Sequence, residues 1–330
     1  MSLVVNYKGT QIAELTQDGS LTLNTAGKYC EGNISLDYSG GGAPTPPETP
    51  TDAVIFYSPN AFTLQVGDRT KHWDGTLYSS TDYSTWNVWD GTTVLNAGER
   101  NGYYTLYLRG IGSTKITGLN NNSYAFYLGG TQIKCCGNLN NLLDYTSSPT
   151  LASYALACLF CECGNVDFNV SLPAETLALS CYQYMFYNCS SLTTAPALPA
   201  TTLANNCYQY MFGRCKSLTT APALPATTLA SNCYQYMFSN CKSLTTAPAL
   251  PATTLASNCY QYMFQGSTQI KLSTTRTGAY QTEYRIPTSG TGTAPSGELS
   301  GMFSNTGGTF TGTPTINTTY YTSNTVIPAS

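Results

Sequence analysis

The stretch LPATTLANNCYQYMFGRCKSLTTAPA (198–223) is followed at once by LPATTLASNCYQYMFSNCKSLTTAPA (224–249). The copies differ only at Asn205/Ser231, Gly213/Ser239 and Arg214/Asn240. LPAETLALSCYQYMFYNCSSLTTAPA (172–197) precedes them, and a fourth copy runs to Phe264. CYQYMF therefore begins at Cys181, Cys207, Cys233 and Cys259, in steps of 26 residues. Subtracting one period from Phe186, Cys189, Leu198 and Pro199 lands on Phe160, Cys163, Leu172 and Pro173. The lattice thus reaches back to about Leu151. YAFYLGGTQIKCCGNLNNLL upstream echoes YMFQGSTQIKLSTT downstream, and LSGMFSNTGGTF (299–310) echoes YQYMFSNCKSL. These flanks are expected to be capping turns, the last one followed by a polar tail.

A period of this length lies in the leucine-rich-repeat range. One unit is too small to bury its own apolar face, whereas stacked units bury Leu on Leu and Phe on Phe in a continuous core. The expected fold class is a mixed α/β repeat: a short leucine-rich-repeat solenoid preceded by small all-β modules. SLTTAPALP should be extended, and TTLASNCYQYMF should hold a short helical turn with Leu, Cys, Met and Phe inward. Pro196, Pro222 and Pro248 cannot donate to a ladder, so each turn loses a bond there or the strand ends.

Five segments follow from composition shifts. Residues 1–39 read as a small β attachment module, with β-branched alternation broken by Gly and Asn turns. GGGAPTPPETPT opens a Gly/Pro linker, 40–52. Residues 53–118 read as a β-sandwich-like domain built from runs such as AVIFYS, WNVWDG and GYYTLYLRG. The repeats with their capping turns occupy 119–270, and 271–330 is an irregular Thr/Gly-rich cap.

Charged residues make up only 9% of the 330-residue chain and net charge is −3. That balance argues against a nucleic acid partner or an anionic membrane surface. No apolar run is long enough for membrane insertion. The N-terminal MSLVVNYKGTQIAEL lacks a basic n-region and does not read as a secretory signal. The C-terminal TVIPAS carries no anchor motif.

The chemistry-bearing residues have structural explanations. Seven of the 13 cysteines sit on the repeat lattice, which favours thiols packed as small hydrophobes over disulfides. CLFCEC (158–163) contains a C-x-x-C, and KCC adds Cys135 and Cys136, a set from which zinc could be held. But the lattice already accounts for Cys163, and Cys158 falls where later copies have Tyr184. No metal or other cofactor is expected. His72 is the single histidine and lies in a turn-rich stretch. Asp74 and Asp90 both sit in WDG turns rather than as a converging pair. No catalytic residue is expected.

The combination F-x-x-C-x-x-L, L-P-x-x-x-L and C-Y-x-x-M-F is carried by Phe212, Cys215, Leu218, Leu224 and Pro225 and their equivalents over 151–270. It resembles the repeat of BspA-like leucine-rich-repeat surface proteins. WDGTLYSSTDYSTWNVWDG and NLNNLLDY upstream look like the β module that precedes such repeats in gut-associated members. The resemblance implies adhesion to host or matrix surfaces. The TLNTAGKYCEGNI core of residues 1–39 resembles short modules that open structural proteins of gut phages. This resemblance implies attachment to a virion structural protein, a place on the virion surface, and a distal receptor-reading part.

Candidate binding residues on the repeats are Tyr182, Tyr208 and Tyr234, Gln209 and Gln235, Arg214, Lys216, Asn240 and Lys242. Gln209 should face out, together with one of Tyr208 or Tyr210. Tyr offers a large contact at low entropic cost. Trp73, Trp86 and Trp89 form a second candidate set for sugar stacking, against a reading as core. The expected function is non-enzymatic recognition of a surface glycan or surface protein of a host cell, by a phage tail- or head-fibre protein. A bacterial BspA-like cell-surface adhesin, extracellular in place, is the first alternative and a carbohydrate-active enzyme the second. A fibre would also admit a homo-oligomer.

Overall fold

The computed structural model describes residues 3–7, 10–15, 21–23, 45–118, 124–287, 297–316 and 318–329. It divides the chain into two compact units, Met1–Thr45 and Pro46–Ser330. In the first unit, β1 (Leu3–Tyr7), β2 (Thr10–Leu15) and β3 (Leu21–Leu23) pair antiparallel in chain order, with a register shift between Val5 and Asn6.

The second unit begins with aromatic and β-branched runs cut by Gly, Asp and Asn, and these become strands. They are β4 (Val54–Ser58), β5 (Thr63–Val66), β6 (Thr76–Ser80), β7 (Asn87–Trp89), β8 (Leu95–Asn96), β9 (Gly98–Arg100), β10 (Tyr103–Ile111), β11 (Phe126–Gly129), β12 (Ile133–Asn138) and β13 (Val166–Ser171). A seven-stranded sheet runs β13-β12-β4-β10-β6-β7, with β9 also on β10, while β11-β5-β8 form a smaller sheet. Alternation sends Val54, Phe56, Leu106, Leu108, Leu77 and Phe168 into the core. Residues 53–118 and 119–270 thus share one sheet, and one apolar cluster runs unbroken from Val54 to Tyr320. Gly110 on β10 admits the backbone of the 3-10 turn Leu139–Leu142, because a Cβ there would lie 1.8 Å from the Leu142 carbonyl oxygen.

The expected mixed α/β repeat with helical turns is overturned. The structure is nearly all β, 27% strand and 2% helical, and no α-helix occurs among the described residues. The reason lies in the backbone of CYQYMF. Every fourth residue has a positive φ: Tyr154, Cys158 and Glu162, then Ser180, Tyr184 and Asn188, then Asn206, Tyr210 and Arg214, and so on at each period. A left-handed residue at that interval breaks any i→i−4 ladder. The amides divide into two sets instead. Cys207, Gln209, Met211 and Gly213 donate to carbonyls three residues back within their own turn. Asn206, Tyr208, Tyr210, Phe212 and Arg214 donate across to Ser231, Cys233, Gln235, Met237 and Ser239 of the next turn. The extended half is sparse: isolated parallel bridges join Thr176 to Thr202 and Thr194 to Thr220. Among the SLTTAPALP segments only Thr246–Pro248 is a strand (β14), ending at the proline.

Because each turn bonds to its own copy, identical side chains meet. Phe186, Phe212, Phe238 and Phe264 stack with centroids 5.7–5.8 Å apart. Phe160 extends the column one turn upstream at 5.9 Å. Downstream, Leu299–Phe303 supplies a last layer: Tyr260, Tyr262 and Phe264 donate to Glu298, Ser300 and Met302, and Phe303 stacks on Phe264 at 5.4 Å. The echo in the sequence is therefore a real turn, reached after a step of 39 rather than 26 residues. Beyond it, β15 (Leu272–Ser273), β16 (Thr282–Arg285) and β17 (Thr319–Thr322) form a small antiparallel sheet, and β18 (Thr325–Ile327) runs parallel to β14.

Candidate functional site

All 12 described cysteines are buried. In one lattice column the thiol has a specific task. The Sγ–H groups of Cys163, Cys189, Cys215 and Cys241 donate to the carbonyls of Phe126, Phe160, Phe186 and Phe212 at 3.0–3.1 Å. In the next turn Ser267 stands in the cysteine position and its hydroxyl donates to Phe238 at 2.6 Å. Burial pushes the Cys215 and Cys189 thiols well above the ordinary thiol range, so they are protonated donors rather than nucleophiles.

The two tyrosines of each YQY triplet part company. Tyr182, Tyr208, Tyr234 and Tyr260 are each 1% exposed and stack at 5.7–5.9 Å. The proposed contacts Tyr182, Tyr208 and Tyr234 are therefore core residues. At these positions the ring belongs to the same apolar cluster as the Leu and Phe columns. The outward residues are Tyr184, Tyr210, Tyr236 and Tyr262, half-buried and stacked at 4.4–4.8 Å with planes within 21° of parallel. All four occupy the left-handed backbone position, with φ between 54 and 57°. The column ends where Gly301 takes the tyrosine position: a Cβ there would lie 2.3 Å from the Tyr262 ring.

Beside this column runs an amide ladder. Gln183 donates through Nε2 to Gln209, Gln209 to Gln235, and Gln235 to Gln261. Gln209 and Gln235 are half-buried and partly spent on one another. The residues after MF vary from copy to copy. Tyr187 packs edge-on against Tyr184 and Tyr210, and the exposed Arg214 guanidinium lies 5.5 Å above the Tyr187 ring. Lys216 and Lys242 are exposed, Lys242 donating to the Gly266 carbonyl at 2.6 Å. Asn240, at φ 59°, is half-buried. Stacking covers the ring faces with one another, so this surface presents phenol edges and hydroxyls. Burial pushes the Tyr184 phenol up to about 12, which keeps it a neutral donor at ordinary pH.

The tryptophans do not form one platform. Trp73 and Trp89 are 3% and 2% exposed, pack together at 5.3 Å, and belong to the core. Trp89 Nε1 donates to the Thr93 carbonyl at 3.0 Å. Trp86 alone is half-buried, on the outer face of the large sheet. There the Arg109 guanidinium sits between the Trp86 and Tyr145 rings at 3.9 and 4.3 Å and pairs with Asp52 at 2.8 Å. Sequence reading missed this face, although alternation in GYYTLYLRG puts Tyr103, Thr105, Tyr107 and Arg109 on one side of β10.

The carboxylates near those tryptophans are spent on turns. Asp74 accepts from the Thr114 amide and hydroxyl and from the Lys115 amide. Partial burial raises its carboxyl, but these bonds outweigh it and leave it below the ordinary range. Asp90 accepts from the Thr92 amide and hydroxyl and is lowered by them. A glycosidic general acid needs the opposite shift. His72 Nε2 is 2.8 Å from Asp68. No family model, curated protein or solved structure matches the chain.

Proposed function

We propose that the chain is a non-enzymatic recognition protein of the phage fibre type, adhering to a surface glycan or surface protein of a host cell. The observation that supports this reading best is the outer tyrosine column, Tyr184 to Tyr262, with residues that change between copies beside it. Ring-on-ring stacking fixes the column, so little side-chain entropy is lost on contact. The varying Tyr187, Arg214 and Asn240 supply what distinguishes one ligand from another. Met1–Thr45 carries the segment resembling gut phage virion modules and joins the chain to a virion structural protein. The likeness of F-x-x-C-x-x-L to BspA-like repeats favours the alternative, a bacterial surface adhesin; neighbouring genes for tail or head assembly decide between the two.

The test is a triple variant, Tyr210→Ala, Arg214→Ala and Tyr236→Ala. It should lose host-cell binding while its melting temperature falls by only a few degrees. Binding that survives in a folded variant removes the column from the contact.

A further inference from the structure

Where the large sheet meets the first stacked turns, an open cleft of about 630 Å³ lies over the outer ends of β4, β10, β12 and β13. That volume suits a small ligand. Tyr57 and Tyr103 form one wall, their rings edge-to-face at 5.7 Å. Unlike the stacked column, these two half-buried rings are not covered by copies of themselves. Beside them, Lys134 Nζ pairs with Asp167 Oδ2 at 2.9 Å. This pairing follows from the register, since Lys134 faces both Asp167 and Tyr57 across β12. Two amides complete the lining. Asn165 spends both Nδ2 protons on the Leu128 and Gly130 carbonyls at 2.7 and 2.9 Å, leaving its carbonyl oxygen for a ligand. Gln132 accepts through Oε1 from Asn60 at 3.2 Å, leaving its amide protons.

We propose that this cleft binds the neutral terminal sugar of a surface glycan. The argument is one of matched chemistry. Aromatic rings suit the apolar C–H face of a pyranose. Fixed amides and the Lys–Asp pair supply donors and acceptors for ring hydroxyls. The ammonium and carboxylate cancel, so the cleft offers no net charge to an acidic ligand. The site rests on the recognition reading above but is separate from the tyrosine column, and it chooses the glycan as the ligand class.

The test uses the whole chain against immobilised oligosaccharides ending in glucose, galactose, N-acetylglucosamine or sialic acid, followed by titration calorimetry. One or more of the neutral ends should bind and the sialylated one should not. Tyr103→Ala should weaken binding about 10-fold or more, an effect of the size of one good aromatic contact. Asp167→Asn frees the exposed Lys134 ammonium and should shift preference toward the sialylated probe. Near-ultraviolet circular dichroism checks that both variants are folded. The assignment is overturned if the wild-type chain prefers the sialylated probe, if no probe binds, or if neither substitution changes binding. Host-cell binding separates this failure from that of the wider reading. A chain that binds cells through Tyr210 and Arg214, but no sugar through Tyr103, keeps its recognition role and loses the cleft.

Discussion

Tyr208 and Tyr210 are two residues apart and chemically identical, yet they lead different lives. Tyr208 has an ordinary backbone, sits in the core and stacks at 5.7–5.9 Å within its column. Tyr210 takes a left-handed backbone that costs about 1 kcal/mol or more for a side chain of its kind, and part of it reaches solvent. In a stack of copies, residue type does not decide what is wall and what is surface. Backbone conformation does, and the strain of the outer column is offset by ring stacking and by the bond from the Tyr210 amide to the Gln235 carbonyl of the next turn.

Alkali should separate the columns most. Burial pushes Tyr182, Tyr208, Tyr234 and Tyr260 well above the ordinary phenol range. Folded values above the unfolded one mean that their contribution is complete below about pH 10 and is lost as pH climbs toward the folded values. Each phenol forfeits about 1.4 kcal/mol per pH unit in that window, and four do so together. Phenolate absorbance should rise in two phases, exposed tyrosines first and the inner column only with cooperative unfolding. A single smooth titration without unfolding would contradict the burial.

Truncation comes next. Tyr208→Ala should cost about 3–5 kcal/mol in urea unfolding, as for other buried aromatics. Tyr210→Ala should cost about 1 kcal/mol, because lost stacking is partly offset by relief of a bulky left-handed residue. Equal costs would erase the distinction. The sulfur columns extend the comparison. Cys207→Ser places a hydroxyl in an apolar column and should cost about 1–3 kcal/mol. Cys215→Ser should cost less than about 1 kcal/mol, because Ser267 already makes that hydrogen bond two turns along the same column.

One effect has the opposite sign. The Tyr182 and Tyr234 hydroxyls are buried with no hydrogen-bond partner among the described residues. Tyr234→Phe should therefore stabilise by about 1 kcal/mol, measured as a raised urea midpoint. A loss would mean that the phenol oxygen is satisfied.

The 26-residue lattice, its extension back to Leu151 and the final layer at Leu299–Phe303 were legible, because inward Leu, Met and Phe repeat at fixed spacing. The conformation between them was not. TTLASNCYQYMF offers Leu, Met and Tyr at intervals that suit a helix, and the left-handed sites are marked by Asn in one column but by Tyr in another. Asn206, Asn232 and Asn258 were the available clue, since Asn tolerates that region; Tyr210 gave none. Reading YQY as one inside and one outside tyrosine left the choice between Tyr208 and Tyr210 open, and the candidate contact Tyr208 is the inside one. The sheet half was legible as short strands, while its parallel β12–β13 pair, which ties it to the turns, required contacts no local pattern encodes.

Gly301 ends the outer column, yet nothing between Tyr184 and Tyr262 fixes how many layers precede it. Residues 198–223 and 224–249 differ at three positions, so their genes should be nearly interchangeable at the crossover point. Unequal recombination in that region would insert or delete one whole layer and let every inter-turn bond re-form with its new neighbour. The chain could change its reach, and the number of variable residues it displays, in single heritable steps that leave both ends intact.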